Sequence, residues 1–145
     1  MTKRMLVPLD LSEQSESVLP LVADLARGAG ATVRLLHVTP YSRTRLSADN
    51  RVIRYAHQQE ERDAREADLR LRQMAPLLDG IDVEHRVRIG DPGEEILREA
   101  NAFNADAIVL RAPSWRWWRR TIGRIARRVR ATAEVAVLLV SEAAR

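Results

Sequence analysis

Apolar positions in this chain come in two rhythms, short runs and helical spacing, and the two alternate from end to end. Met5-Leu6-Val7-Pro8-Leu9 is an apolar run of the length of a buried strand. Asp10, Ser12 and Glu13 follow, the small polar caps and first-turn acid of a helix start. Val18, Leu19, Val22, Leu25 and Ala26 then recur at helical spacing. Gly28-Ala29-Gly30 should end that helix, because glycine accepts the left-handed conformation of a C-cap. Thr32 to Val38 reads as a second strand, stopped by Thr39-Pro40, and residues 41–50 are polar and aperiodic, as in a loop. Arg51 to Leu78 reads as a long charged helix with a thin apolar stripe of Ile53, Ala56, Ala64, Ala67, Leu71, Met74 and Leu78. Glu60, Glu61 and Glu66 lie within helical reach of Arg65 and Arg70, which predicts weak, solvent-exposed pairs on a solvated face.

After the Asp79-Gly80 turn, Ile81, Val83, His85, Val87 and Ile89 alternate with Asp82, Glu84, Arg86 and Arg88, the pattern of a half-buried edge strand. Gly90-Asp91-Pro92 opens a further helix, with Glu94-Glu95 in its first turn and Ile96, Leu97, Ala100 and Phe103 on its buried face. Ala107 to Leu110 is a fourth strand. A helix carrying Ile122, Ile125, Ala126 and Val129 on one face comes after it, and Val135 to Val140 is a fifth strand. Strict alternation of strand and helix predicts a doubly wound parallel sheet with right-handed crossovers. Ligands of such sheets bind beyond the carboxyl ends of the strands, here Asp10, Val38 and the residues from Arg111 onward.

Composition narrows the function classes. The 145 residues suit a single domain spanning 1–145, able to bury a core without metal or disulfide. There is no cysteine, which excludes thiolate catalysis and cysteine zinc sites. No apolar run nears the roughly 20 residues that span a bilayer. Pro8 and Asp10 interrupt the first apolar run too early for a signal peptide, so a cytoplasmic location is expected. The formal charge of +4 is spread unevenly: Arg111 to Ala133 holds eight arginines and no acid.

Four stretches together resemble the universal stress protein family over essentially the whole chain. They are Leu6-Val7-Pro8-Leu9-Asp10-Leu11-Ser12-Glu13; Leu35-Leu36-His37-Val38; Gly90-Asp91-Pro92 with Ile96, Ala100 and Ala105 to Val109; and Ile125 to Val129 with Val137 to Val140. The resemblance implies a five-stranded α/β sandwich of strand order 3-2-1-4-5, as in HUP-like folds, and a homodimer paired through the fifth strand, Val135 to Val140. Pro8, Asp10 and Val38 match positions that line the adenosine in ATP-binding relatives. Those relatives hold the phosphates with a glycine motif after strand four, where glycine lets the backbone come close and helix N-terminal amides bind the anion.

This chain departs from that motif. Arg111 and Ser114 stand at its first two glycine positions, and Arg124 replaces the hydroxyl residue after Gly123. Eight residues separate Ser114 from Gly123, one fewer than in the family pattern, and Pro113 removes a backbone donor. Standard ATP binding is therefore disfavoured and no cofactor is expected. Pro8, Asp10, Val38, Arg111, Ser114, Gly123 and Arg124 remain the candidate nucleotide or ligand positions. Asp10 has two readings, a nucleotide contact and a cap of the first helix, with the cap favoured.

Other chemistry finds little support. Gly28-Ala29-Gly30 follows a helix and precedes a strand, the reverse of a dinucleotide fingerprint. His37, His57 and His85 are scattered, so no metal site is expected; His37 alone sits near the strand ends. Ser12, Ser15 and Ser114 lie in no nucleophile elbow. No catalytic residue emerges. Trp115, Trp117 and Trp118 hold every tryptophan. They could pack under the loop or in a dimer interface. Alternatively, with Arg116, Arg119 and Arg120 they could meet an anionic partner such as nucleic acid, a membrane surface or a transporter. The expected function is a non-catalytic regulatory or binding protein of the stress response. The alternatives are a phosphate-ligand module using arginines in place of glycines, and an interaction module for anionic surfaces.

Overall fold

The computed structural model describes residues 3–11, 15–41, 50–111, 127 and 135–140. Strands β1 (Arg4–Pro8), β2 (Thr32–Thr39), β3 (Val83–Ile89), β4 (Ala107–Arg111) and β5 (Ala136–Val140) form one sheet. Every pairing is parallel, and the order is β3-β2-β1-β4-β5, as expected. Helices α1 (Leu19–Ala29), α2 (Asn50–Met74) and α3 (Pro92–Phe103) cover it.

The period of two along each strand divides the core. Val7, Val33, Leu35 and Val109 pack with Val22 of α1 and with Leu71 and Met74 of α2. Leu6, Leu36, Ile108 and Leu110 pack with Ile96, Ala100 and Phe103 of α3. Central β1 is buried from Met5 to Pro8, which is why its sequence is a continuous apolar run without alternation.

Two prolines move helix ends away from their expected places. Pro20 lies in the first turn of α1, where its missing N–H does no harm, and a 3₁₀ turn at Ser15–Val18 precedes it. Val18 is the N-cap and makes no side-chain cap bond. Asp10 therefore does not directly precede the first helix, which corrects the favoured capping role. At the other end of the crossover, α2 stops at Met74 and a 3₁₀ turn at Ala75–Leu77 carries Pro76, because proline withdraws an interior donor and disfavours helical geometry before it. The C-cap of α1 is Gly30 at φ 64°, as its sequence demands.

Charged side chains do more than coat the surface. Glu60, expected on a solvated face, is 2% exposed, with His57 at 3.8 Å. Asp68 of α2 pairs both with Arg72 and with His85 of β3, each at 3.1 Å. The polar face of edge strand β3 turns toward α3. There Glu99, whose side chain has no exposed surface, takes Arg34 of β2 at 2.6 Å, Arg88 of β3, and Arg86 at 3.6 Å. Arg34 also pairs with Glu84 at 2.6 Å and lies 4.1 Å above the Phe103 ring. Burial pushes the Glu99 carboxyl up, but the hydrogen bonds from Arg88 and Arg34 and the charges of Arg88 and Arg86 outweigh it and hold the group below the usual carboxylate range.

Candidate functional site

The parallel sheet gathers the carboxyl ends of β1, β2 and β4 along one edge, where strand order reverses between β1 and β4. Four of the expected site residues are described there. Pro8 ends β1 and is buried; Asp10 lies two residues beyond it, half-buried. Val38 is 9% exposed and packs with the α3 side of the core. Arg111 ends β4, half-buried, in register with Val140 of β5. Ser114, Gly123, Arg124 and the segment from Trp115 to Arg120 lie outside the described residues, as does most of the helix expected after them.

Beside these strand ends, on the sheet face covered by α2, lies a cavity of about 300 Å³. Asp10 and Leu11 wall it from the chain just beyond β1, His37 and Thr39 from β2, and Asp63, Glu66 and Arg70 from α2. Alternation along β2 sets the division: His37 and Thr39 face this cavity, whereas Val38 faces the opposite layer. The His37 Nδ1 lies 2.8 Å from the Leu9 carbonyl oxygen. A carbonyl only accepts, so Nδ1 carries the proton and Nε2 keeps its lone pair. Burial lowers the His37 pKa, the Leu9 bond and Asp10 oppose that, and Arg70 adds to it. Arg70 donates to the Leu11 carbonyl and so ties α2 to the chain beyond β1. Leu11 there adopts φ 60°.

The charged run of α2 gave no hint of this wall when read as a solvated face. A signal was present, since positions 63, 66, 67 and 70 follow the spacing of one helix face and all four line the cavity. Among the described residues, no three His, Asp or Glu side chains are arranged to hold a metal ion, and no helix is long and apolar enough to cross a membrane.

The sequence model of the Universal stress protein family matches residues 1–141. The chain belongs to the universal stress protein family. The solved structures carry the same fold. Universal stress protein UspA from Lactobacillus plantarum superposes with a TM-score of 0.75 at 20% identity, covering 95% of this chain and 97% of that one. A universal stress protein from Archaeoglobus fulgidus in complex with dAMP gives 0.59 at 21% identity, covering 96% and 97%. A universal stress protein in complex with cAMP gives 0.60 at 17% identity, covering 97% of each chain. No curated protein matches the sequence.

Proposed function

We propose that this universal stress protein is a non-catalytic regulatory protein of the stress response, acting by binding and without the standard ATP site. The observation that carries the reading is Arg111. It is the last residue of β4, where ATP-binding relatives have the first phosphate-loop glycine, and it brings a half-buried side chain to the rim of the strand ends. A side chain there occupies space that a phosphate would need beside bare backbone. The shortened spacing from Ser114 to Gly123 and the Arg124 substitution point the same way. Pro8, Asp10 and Val38 keep the nucleoside half of the site. Two relatives are solved with adenine nucleotides, cAMP and dAMP, and a nucleoside without a triphosphate is the ligand this half site suits. The test is calorimetric titration with ATP and magnesium beside dAMP. No heat and no thermal shift with ATP are expected; saturable ATP binding overturns the reading in favour of an arginine-held phosphate.

A second reading rests on the eight arginines between Arg111 and Ala133, with no acid among them. This stretch would dock on an anionic surface, with Trp115, Trp117 and Trp118 beside Arg116, Arg119 and Arg120. Binding to RNA or anionic vesicles should then weaken steeply with salt and be lost when Arg116, Arg119 and Arg120 become alanine. Binding indifferent to salt counts against it. The cytoplasm is the proposed location, and a homodimer through β5 the proposed assembly.

A further inference from the structure

We propose that the cavity between the ends of β1 and β2 and the facing side of α2 binds a small organic cation rich in N–H donors, of the aliphatic polyamine class. The cavity shares Asp10 with the nucleoside half-site, but its other walls differ: His37, Thr39, Asp63, Glu66 and Arg70 line it, whereas Val38 faces the opposite layer of the sheet.

Charge comes first. Asp10, Asp63 and Glu66 line the cavity, and Arg70 is the one basic side chain among the described lining residues apart from His37. Among the described lining residues the balance is negative, in a protein whose formal charge is +4, and this favours a cation over an anion. Arg70 spends a donor on the Leu11 carbonyl instead of a carboxylate.

Two further groups point to a ligand with donors. Thr39 lines the cavity and is 3% exposed, and its buried Oγ1 has no hydrogen-bond partner among the described residues. A buried hydroxyl without a partner is costly, and a ligand ammonium reaching it would remove that cost. His37 turns its N–H to Leu9 and retains an acceptor at Nε2. Carboxylates, an imidazole lone pair and a hydroxyl form an acceptor set for ammonium groups, while Leu11, Pro40 and Ala67 give methylenes an apolar wall. A phosphate or carboxylate ligand would meet three like charges here.

The experiment is titration of the full chain with spermidine at low salt, followed by calorimetry and by backbone amide shifts. Saturable one-to-one binding is expected, with shifts concentrated at Leu11, Thr39 and Ala67. Asp63→Asn with Glu66→Gln should weaken it at least tenfold, and Thr39→Val several-fold, with the helical circular dichroism of all variants unchanged. Asp24→Asn with Asp79→Asn, which lie outside the cavity wall, should leave affinity as it was. Absence of saturable binding overturns the proposal. So does affinity that survives the Asp63/Glu66 change, or that falls equally with the Asp24/Asp79 change, since either outcome means spermidine binds surface acid in general. An ATP titration run in parallel separates this result from the fate of the nucleotide reading.

Discussion

Glu99 is a carboxylate with no exposed side-chain surface, and its charge is kept by arginines from two strands. Removing Glu99 takes from Arg34 and Arg88 their one fully buried partner and leaves them only the more exposed Glu84 and Glu95. Glu99→Ala should therefore cost about 3 kcal/mol in urea unfolding, and Glu99→Gln less, since the amide still accepts one hydrogen bond. The folded carboxyl titrates below its ordinary value of 4.5, so its stabilising contribution is full above that value and fades as pH falls through the lower folded value. The acid limb of the stability profile should flatten in Glu99→Gln. His37 has the other chemistry and the same direction. Its folded pKa lies below the ordinary 6.5, so as pH drops past 6.5 the unfolded chain takes up a proton that the folded chain refuses. Stability should fall there, and the fall should vanish in His37→Gln; an unchanged slope would show that His37 is not the group responsible. Neither role can be read from the sequence alone. The alternation of Arg86 and Arg88 on β3 is visible there, but their partner lies on α3 and Arg34 comes from β2, so burial of Glu99 exists only once three elements meet.

At the scale of elements, what a sequence reveals depends on whether its stop signals act locally. The start of α3 is fully local. Asp91 accepts from the Glu94 amide at 3.1 Å, Pro92 stands in the first turn, and Glu94 and Glu95 face the positive end of the helix. Asp91→Ala should cost about 1 kcal/mol. Gly90, just before it, has φ 154°, and a Cβ there would lie 3.0 Å from the Glu95 side chain, which itself pairs with Arg88 and Arg98. Gly30 has φ 64° with open space around it, so alanine there meets backbone strain alone, about 1 kcal/mol. Gly90→Ala should be the worse of the two in chemical denaturation, because it adds displacement of an ion-paired side chain to the strain. The start of α1 and the end of α2 lie away from where apolar spacing alone puts them: Pro20 is accommodated only in a first helical turn, so α1 begins at Leu19 and not beside Asp10, and Pro76 withdraws an interior donor, so α2 stops at Met74 and not at Leu78.

For the whole molecule, alternation of strand and helix determines a parallel sheet, and the resemblance supplies its order. The cavity under α2 was beyond reach because it depends on how that helix crosses the strand ends. Sheet order also leaves two edges of unlike character, and the proposed assembly rests on that difference. Edge β3 carries Glu84, Arg86 and Arg88, and charges on an edge discourage pairing with another chain. Edge β5 has no charge from Ala136 to Val140, and it leaves Leu138 38% and Leu139 57% exposed. Unpaired strand groups next to exposed leucines form the surface that a second copy can cover by two-fold self-complementarity. On the proposed pairing, sedimentation velocity should show a dimer at micromolar concentration, and the melting temperature should rise with protein concentration. Leu139→Lys places a charge at the pairing edge and should yield a monomer that still folds, because this side chain is mostly outside the core. A wild-type chain that sediments as a monomer at high concentration, or a Leu139→Lys chain that remains dimeric, would mean that β5 is not the surface through which two copies meet.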